Sequence, residues 1–155
     1  MSSVSTTIKS IQDIMRKDVG VDGDAQRIGQ LVWMFFLKIF DDREKEPEEL
    51  EVGYQSPIPE GLRWRDWAAD DEGITGDELL DFVNNRLFPT LKELNNGPRS
   101  IVVRGVFEDA YQYMKSGHLM RQVINKINAI DFNRRKDIHL FGDIYEQILR
   151  DLQSA

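Results

Sequence analysis

A run of ten residues, Leu31 to Phe40 (LVWMFFLKIF), limits the possible folds of this chain more than any other feature. Its apolar positions recur at helical spacing and extend to almost every side of the predicted helix: Ile28, Leu31, Val32, Phe35 and Ile39 on the inner stripe, and Trp33, Phe36, Leu37 and Phe40 around it. A helix without a polar face is normally surrounded by other helices. The run includes Lys38 and is half the roughly 20 residues that a membrane-spanning helix needs. We therefore predict a buried core helix over about Ala25 to Arg43 and no membrane span.

Helical spacing also recurs on either side of this run. An apolar i, i+3, i+7 pattern over 8–15 predicts a short first helix. Thr75 to Glu78 (TGDE) matches a capping box, in which the Thr75 hydroxyl accepts from the amide of Glu78 while the glutamate side chain reaches back. A helix is predicted to begin there, and Pro89 is expected to end or kink it near Phe88.

The second half of the chain is helical by the same criterion. Apolar residues recur over 119–130 after Ser116, and again over 138–152 with Asp137 as the predicted N-cap. Residues 101–107 fit either a strand or a helix, and a helix is favoured. Residues 53–61 hold two prolines and two glycines, which predict an ordered loop. The predicted fold class is all-α: one domain over 1–155, a compact bundle of about six to eight helices, several of them short, with one Pro/Gly-rich ordered loop.

Composition excludes several kinds of chemistry. There is no cysteine, so disulfides, thiolate zinc sites and cysteine nucleophiles are ruled out, and only His118 and His139 are available as histidines. The sequence has no G-x-G-x-x-G, Walker, G-x-S-x-G or H-E-x-x-H pattern, which argues against an autonomous enzyme with a catalytic, cofactor or metal site of its own. No targeting signal is evident, and a reducing cytoplasm is the simplest compartment for the chain.

Charge is divided unevenly along the sequence. The formal net charge is -7, and residues 41–51 hold seven acidic and two basic residues, for which a solvated helix end and loop is the favoured interpretation. Residues 99–136 carry eight basic and three acidic residues, so this window is the candidate for contact with DNA phosphates, although an ordinary solvated connector fits it equally well. The candidate residues are Arg99, Arg104, Lys115, Arg121, Lys126, Arg134, Arg135 and Lys136.

Two further arginines are weaker candidates for DNA contact. Arg63 and Arg65 flank Trp64 and precede Trp67 in a predicted short helical turn. Arginine beside tryptophan can stack on a nucleotide base or close the edge of a core, and closure of the core is the favoured interpretation.

Several segments taken together resemble the N-terminal part of the modification (methyltransferase) subunit of type I restriction-modification systems. They follow one another in order and cover nearly the whole chain: Asp24 to Asp42 (DAQRIGQLVWMFFLKIFDD), Pro57 to Ala68 (PIPEGLRWRDWA), Thr75 to Leu91 (TGDELLDFVNNRLFPTL) and Leu140 to Leu149 (LFGDIYEQIL). No single segment is a catalytic signature, but their order and spacing make the resemblance specific.

The resemblance implies a function for the parent protein and a limit for this chain. That family transfers a methyl group from S-adenosylmethionine to the amino group of adenine in DNA, using a Rossmann-like domain with a cofactor loop and an Asn-Pro-Pro motif. No Asn-Pro pair occurs in this sequence. We therefore expect the catalytic domain to lie outside 1–155, and this chain alone to bind no cofactor and methylate nothing.

Two roles follow from the resemblance. In the first, the domain helps to assemble and close the complex around double-stranded DNA, with a specificity subunit and a restriction subunit as partners. In the alternative, it is a protein interaction module that binds the specificity subunit or a second copy of itself and does not touch DNA. Core and interface helices look alike in sequence, so the apolar segments fit both roles.

Overall fold

The computed structural model describes residues 3–130, and their side chains from residue 6 onward. This part of the chain is helical without any strand, which confirms the predicted all-α class. Its elements are α1 (Ser3–Arg16), α2 (Asp24–Leu50), α3 (Trp64–Trp67), α4 (Gly76–Phe82), a π-helical turn (Val83–Leu87), α5 (Phe88–Leu91), α6 (Pro98–Glu108) and α7 (Gly117–Asn128). The helix predicted over 138–152 and its N-cap Asp137 lie outside the described residues.

Helix α2 is the centre of the bundle, as its apolar surface predicts. Trp33 is fully buried and meets Phe88 of α5 edge to face, with ring centroids 4.9 Å apart. Phe107 of α6 packs on the same Phe88 ring at 5.1 Å. The predicted inner stripe was partly wrong: Leu31 and Phe35 are buried, but Ile28, Val32 and Ile39 are only partly buried. Because the helix is apolar on nearly every side, periodicity within α2 alone does not identify its deepest residues, which include Trp33, Met34 and Leu37.

Pro89 does not end the helix that contains it. Helix α4, the π-helical turn and α5 follow one another without a break from Gly76 to Leu91. The amide of Phe88 donates to the carbonyl of Val83, five residues earlier, in the wider π-type turn just before the proline. Proline has no amide to satisfy and is tolerated at the start of a helical segment, which is its position in α5. Of the two predicted alternatives, an end of the helix near Phe88 was therefore wrong, and Pro89 instead follows a local change from α- to π-type hydrogen bonding.

The predicted capping box at Thr75 was also wrong. Helix α4 begins at Gly76, but the Thr75 side chain makes no capping hydrogen bond, and its hydroxyl lies 3.5 Å from Nδ1 of His118 instead. Gly76 has a φ of 60°, outside the helical range. The backbone after Thr75 therefore lacks the conformation in which a capping box forms.

Two further helix predictions within the described residues are confirmed. Residues 101–107 lie in α6, and α7 begins after Ser116, whose hydroxyl accepts from the amide of Leu119 at 3.1 Å. The start of α7 is held by Asp18, a buried carboxylate at the end of α1 that accepts from the amides of Lys115 and Ser116 at 2.9 Å each. Among the helices of residues 3–130, none is long and apolar enough to cross a membrane.

Candidate interaction surfaces

The acidic stretch over 41–51 is not a solvated loop. Helix α2 continues through it to Leu50, and Asp41, Asp42 and Glu44 are 4%, 3% and 1% exposed. Aspartate and glutamate are rarely buried to this degree without partners. The interpretation as a solvated helix end holds for Glu46, Glu49 and Glu51, which are exposed, but was wrong for the three buried carboxylates. Their partners are Arg65 of α3 for Asp41, Lys38 and Lys45 of α2 for Asp42, and Tyr54 with Arg99 of α6 for Glu44.

Arg63 and Arg65 bind α2. The Arg65 guanidinium donates to Asp41 at 2.6 Å and to both carboxylate oxygens of Glu48, at 2.7 and 2.9 Å. Arg63 adds a third contact to Glu48, at 3.2 Å. Charged groups in this partly buried geometry are held in pairs because an unpaired charge would keep its full desolvation cost. The two weaker DNA-contact candidates therefore serve to hold α3 on α2.

The contacts with Arg65 lower the pKa of Glu48 from its ordinary value of 4.5, chiefly through the hydrogen bond from that arginine. A carboxyl group with a lowered folded-state pKa stabilises the protein above its unfolded pKa, and that contribution disappears as the pH falls through the folded value. We expect Glu48→Gln to remove about 1 kcal/mol of stability at pH 7 and much less at pH 3, measured by urea denaturation at both values. The matched control is Glu49→Gln at the next, exposed position of α2, and equal losses at both pH values would contradict the prediction.

Arg99 and Arg104 of α6 contact groups of this domain, although 52% of the Arg99 side chain is exposed. The Arg99 guanidinium lies over the rings of Phe40 and Tyr54, 5.6 and 5.1 Å from their centroids, and 3.9 Å from the buried carboxylate of Glu44. The Tyr54 hydroxyl donates to that same carboxylate at 2.7 Å, and burial together with this bond raises the pKa of Tyr54. Arg104 donates to the carbonyl of Leu94 at 3.0 Å.

Arg121 is an interior residue. Its side chain lies on α7, the residue is 6% exposed, and its guanidinium donates to the carbonyls of Ala68 at 2.5 Å and Ile74 at 3.2 Å. It also donates to the side chain of Asn125 at 3.2 Å. The guanidinium thereby joins the segment after α3 and the segment before α4 to the last described helix.

Lys115 and Lys126 are exposed, and within residues 3–130 neither ammonium group has a hydrogen bond or an ion pair. They lie at opposite ends of α7. Arg134, Arg135 and Lys136 are outside the described residues. The basic window is therefore not gathered into one surface in the described part of the chain, because Arg99, Arg104 and Arg121 each contact a different internal partner.

A groove of about 500 Å³ opens between the π-helical turn with α5 and the segment 110–115, and we call it the Tyr111 groove. Its floor is apolar and its rim carries amide and ammonium groups. The floor includes Leu80, Phe88, Pro89, Ala110 and Met114, and the rim includes Asn84, Lys92, Tyr111, Gln112 and Lys115.

The sequence did not predict this groove. Its two walls are separated by about 20 residues, and Tyr111 and Gln112 belong to no recognised motif. The only local signal is Tyr111 itself, a large aromatic residue that is 61% exposed and meets Tyr113 at 4.8 Å. Among the described residues no group of histidines and carboxylates is arranged to hold a metal ion.

Comparisons with known proteins agree over almost the whole chain. The family model for the HsdM N-terminal domain matches residues 4–127. The chain is 64% identical to the type I restriction enzyme EcoEI methylase subunit of Escherichia coli, covering 99% of this chain and 32% of that protein. It therefore spans about a third of the length of that relative.

Two solved structures have the same fold. One is the crystal structure of a modification subunit of a type I restriction enzyme from Vibrio vulnificus, with a TM-score of 0.86 and 38% identity over 98% of this chain and 35% of that one. The other comes from a structural description of complex assembly and conformational transition in the type I restriction-modification system, with a TM-score of 0.80 and 33% identity over 96% of this chain and 30% of that one.

Proposed function

This chain belongs to the HsdM N-terminal domain family, and on that premise we propose that it acts as the N-terminal helical domain of an adenine-specific DNA methyltransferase subunit in a type I restriction-modification enzyme. The observation that carries this proposal is the high identity to a methylase subunit along the whole chain. In the complete enzyme S-adenosylmethionine would be bound, and the methyl group transferred, by the catalytic domain, outside these 155 residues.

The domain's role in that enzyme is to help assemble the complex and close it around double-stranded DNA. A methyltransferase that acts on a base must extrude it from the stack, and the duplex has to be held while the base is outside. A rigid helical domain beside the catalytic domain supplies part of that grip. Its protein partners are the specificity subunit and the restriction subunit, and the complex works in the cytoplasm.

Contact with DNA would come from the basic residues that remain free. Of the candidates in the described part, the arginines are held by internal carboxylates, rings or carbonyls, whereas the ammonium group of Lys126 projects from α7 without such a partner. Lys126 precedes Arg134, Arg135 and Lys136 by one short stretch of sequence. These four positions are the strongest candidates for phosphate contact.

Replacing these four residues with alanine in the full assembly is expected to reduce the dependence of DNA affinity on salt. Each phosphate contact adds about 0.9 to the slope of log affinity against log salt concentration, so four contacts would remove about 3 to 4 from that slope. Fluorescence anisotropy with the target duplex at several salt concentrations measures it. The control is Lys9→Ala with Lys17→Ala on the exposed side of α1, and an unchanged slope in the fourfold variant would remove these residues from the DNA interface.

A second function is favoured by a specific observation: most of the basic candidates in the described part are occupied inside the domain. In that alternative the domain contacts only protein, either the specificity subunit or a second copy of itself. Titrating the full modification subunit separately with purified specificity subunit and with target DNA distinguishes the two. The interaction module requires that DNA affinity be the same with and without residues 1–130, whereas closure around DNA requires that it fall.

A further inference from the structure

We propose that the Tyr111 groove binds a segment of a partner subunit that presents an apolar side chain next to a carboxylate. This inference rests on the proposed role in complex assembly and assigns a surface to it. The groove's volume of about 500 Å³ lies in the range of pockets that hold a few side chains or a small molecule.

The floor of the groove supplies the apolar half of the recognition. Phe88 and Met114 are buried beneath it, and Leu80 and Pro89 lie beside them. Tyr111 stands at the rim and meets Tyr113, yet 61% of its surface is exposed, a high value for a large aromatic residue. Tyrosine in such a position is a common energetic centre of protein interfaces, because its ring adds contact area at little entropic cost.

The rim supplies the charged half. No aspartate or glutamate is found among the described residues that line the groove, although the chain as a whole carries a net charge of -7. Lys92 donates to the carbonyls of Phe107 and Ala110, at 2.7 and 3.3 Å, so it fixes the wall. Lys115 is exposed, and its ammonium group has no partner in the part of the chain that the structure describes. One free cation is therefore available to an acceptor from outside.

The walls are fixed before anything binds. The side-chain oxygen of Gln112 accepts from Gln30 at 3.1 Å and from the amide of Met114 at 2.6 Å. Its side-chain nitrogen donates to Asn84 on the π-helical turn and to the carbonyl of Met114, both at 3.0 Å. A preformed groove lets a partner segment bind without first ordering these residues, which raises the affinity gained from a small contact area.

The same details favour a protein segment over a nucleic acid strand. Binding to a strand relies on several cations that follow successive phosphates and on aromatic rings free to stack on bases. Only Lys115 is free here, and the Tyr111 ring already meets Tyr113 at an angle of 63°. One cation above an apolar floor matches a single aspartate or glutamate next to an apolar side chain.

The test measures the affinity of the full modification subunit for the specificity subunit and, separately, for the restriction subunit. We expect Lys115→Glu and Tyr111→Ala each to weaken binding to one of these subunits about tenfold or more. Lys115→Arg should retain the affinity because the charge remains, and Lys9→Glu on α1 is the matched control for charge reversal. Thermal unfolding of each variant excludes loss of the fold, and Tyr111→Ala keeps the test valid if Lys115→Glu is destabilised by the nearby Asp18.

Cross-linking identifies the occupant directly. With Tyr111→p-benzoylphenylalanine in the full assembly, irradiation should join this position to a peptide of the specificity or restriction subunit that contains an aspartate or glutamate near the attached residue. Attachment to DNA, or loss of DNA affinity with unchanged subunit affinities, would overturn the groove proposal and assign the surface to nucleic acid. Unchanged affinities for both subunits in a complex that assembles would overturn the groove proposal alone, whereas a wild-type subunit that binds neither would overturn the proposed function as well.

Discussion

Replacing Gly117 with alanine is expected to destabilise the domain by about 3 kcal/mol or more. Gly117 is the first residue of α7 and lies directly against the backbone of Gly76 at the start of α4, where an added Cβ would overlap the carbonyl oxygen and the carbonyl carbon of Gly76. These are backbone atoms, so no side chain can rotate away to make room. Overpacking at such a contact forces the two helices apart, which costs about 1 to 3 kcal/mol or more.

A glycine of α6 provides the matched control. Gly105 lies in a helix like Gly117, but a Cβ built there meets nothing within 4 Å. Because alanine has the higher helix propensity, Gly105→Ala is expected to stabilise the domain by about 0.5 to 1 kcal/mol. Urea denaturation of both variants gives the comparison, and changes of the same sign would show that Gly117 acts through helix propensity instead of through its contact with Gly76.

The sequence predicts the position and burial of a helix better than the residue at which the helix ends. The apolar run Leu31 to Phe40 correctly placed a buried helix, because a surface without a polar face can only be covered by neighbouring helices. The sequence did not predict that α2 continues beyond Arg43 to Leu50, since residues 41–50 carry six acidic side chains. The burial of Asp41 depends on Arg65 of α3, and that of Glu44 on Tyr54 and Arg99 of α6. Such long-range pairing is not visible in local periodicity.

The candidate DNA contacts show a related limit. Charge counting treats all arginines alike, yet Arg99 and Arg104 contact internal groups whereas Lys126 is exposed on α7. A signal for one of them was present: Arg121 follows Gly117 by four residues and precedes Ile124 by three, and both of those residues are buried. Helical periodicity therefore assigns Arg121 to the inner face of α7, whereas its charge alone favours the surface.

Arg121→Met is expected to cost about 3 kcal/mol of folding free energy. Methionine replaces the aliphatic stem of the arginine but ends near the position of Nε, so the change removes the donors and also leaves the space of the guanidinium group unfilled. The carbonyl of Ile74 then loses the guanidinium that it accepts from, and that of Ala68 keeps only the amide of Asn128, at 2.9 Å. Hydrogen bonds from a charged donor contribute about 1.5 to 3 kcal/mol each, and a buried carbonyl left without a partner costs a similar amount.

Two further variants separate the role of the guanidinium from that of its charge. Arg121→Lys keeps the charge but offers a single ammonium group where a planar fork reaches three carbonyls and Asn125, so it should lose about half as much stability. Lys126→Met on the exposed side of the same helix should change stability by less than about 0.5 kcal/mol.

The decisive comparison is with DNA affinity in the full assembly. A variant at Arg121 that folds with wild-type stability and yet binds DNA more weakly would return this residue to the DNA interface. An interior role requires that stability fall, because the four groups bound by Arg121 belong to this domain and lose their donor whether or not DNA is present.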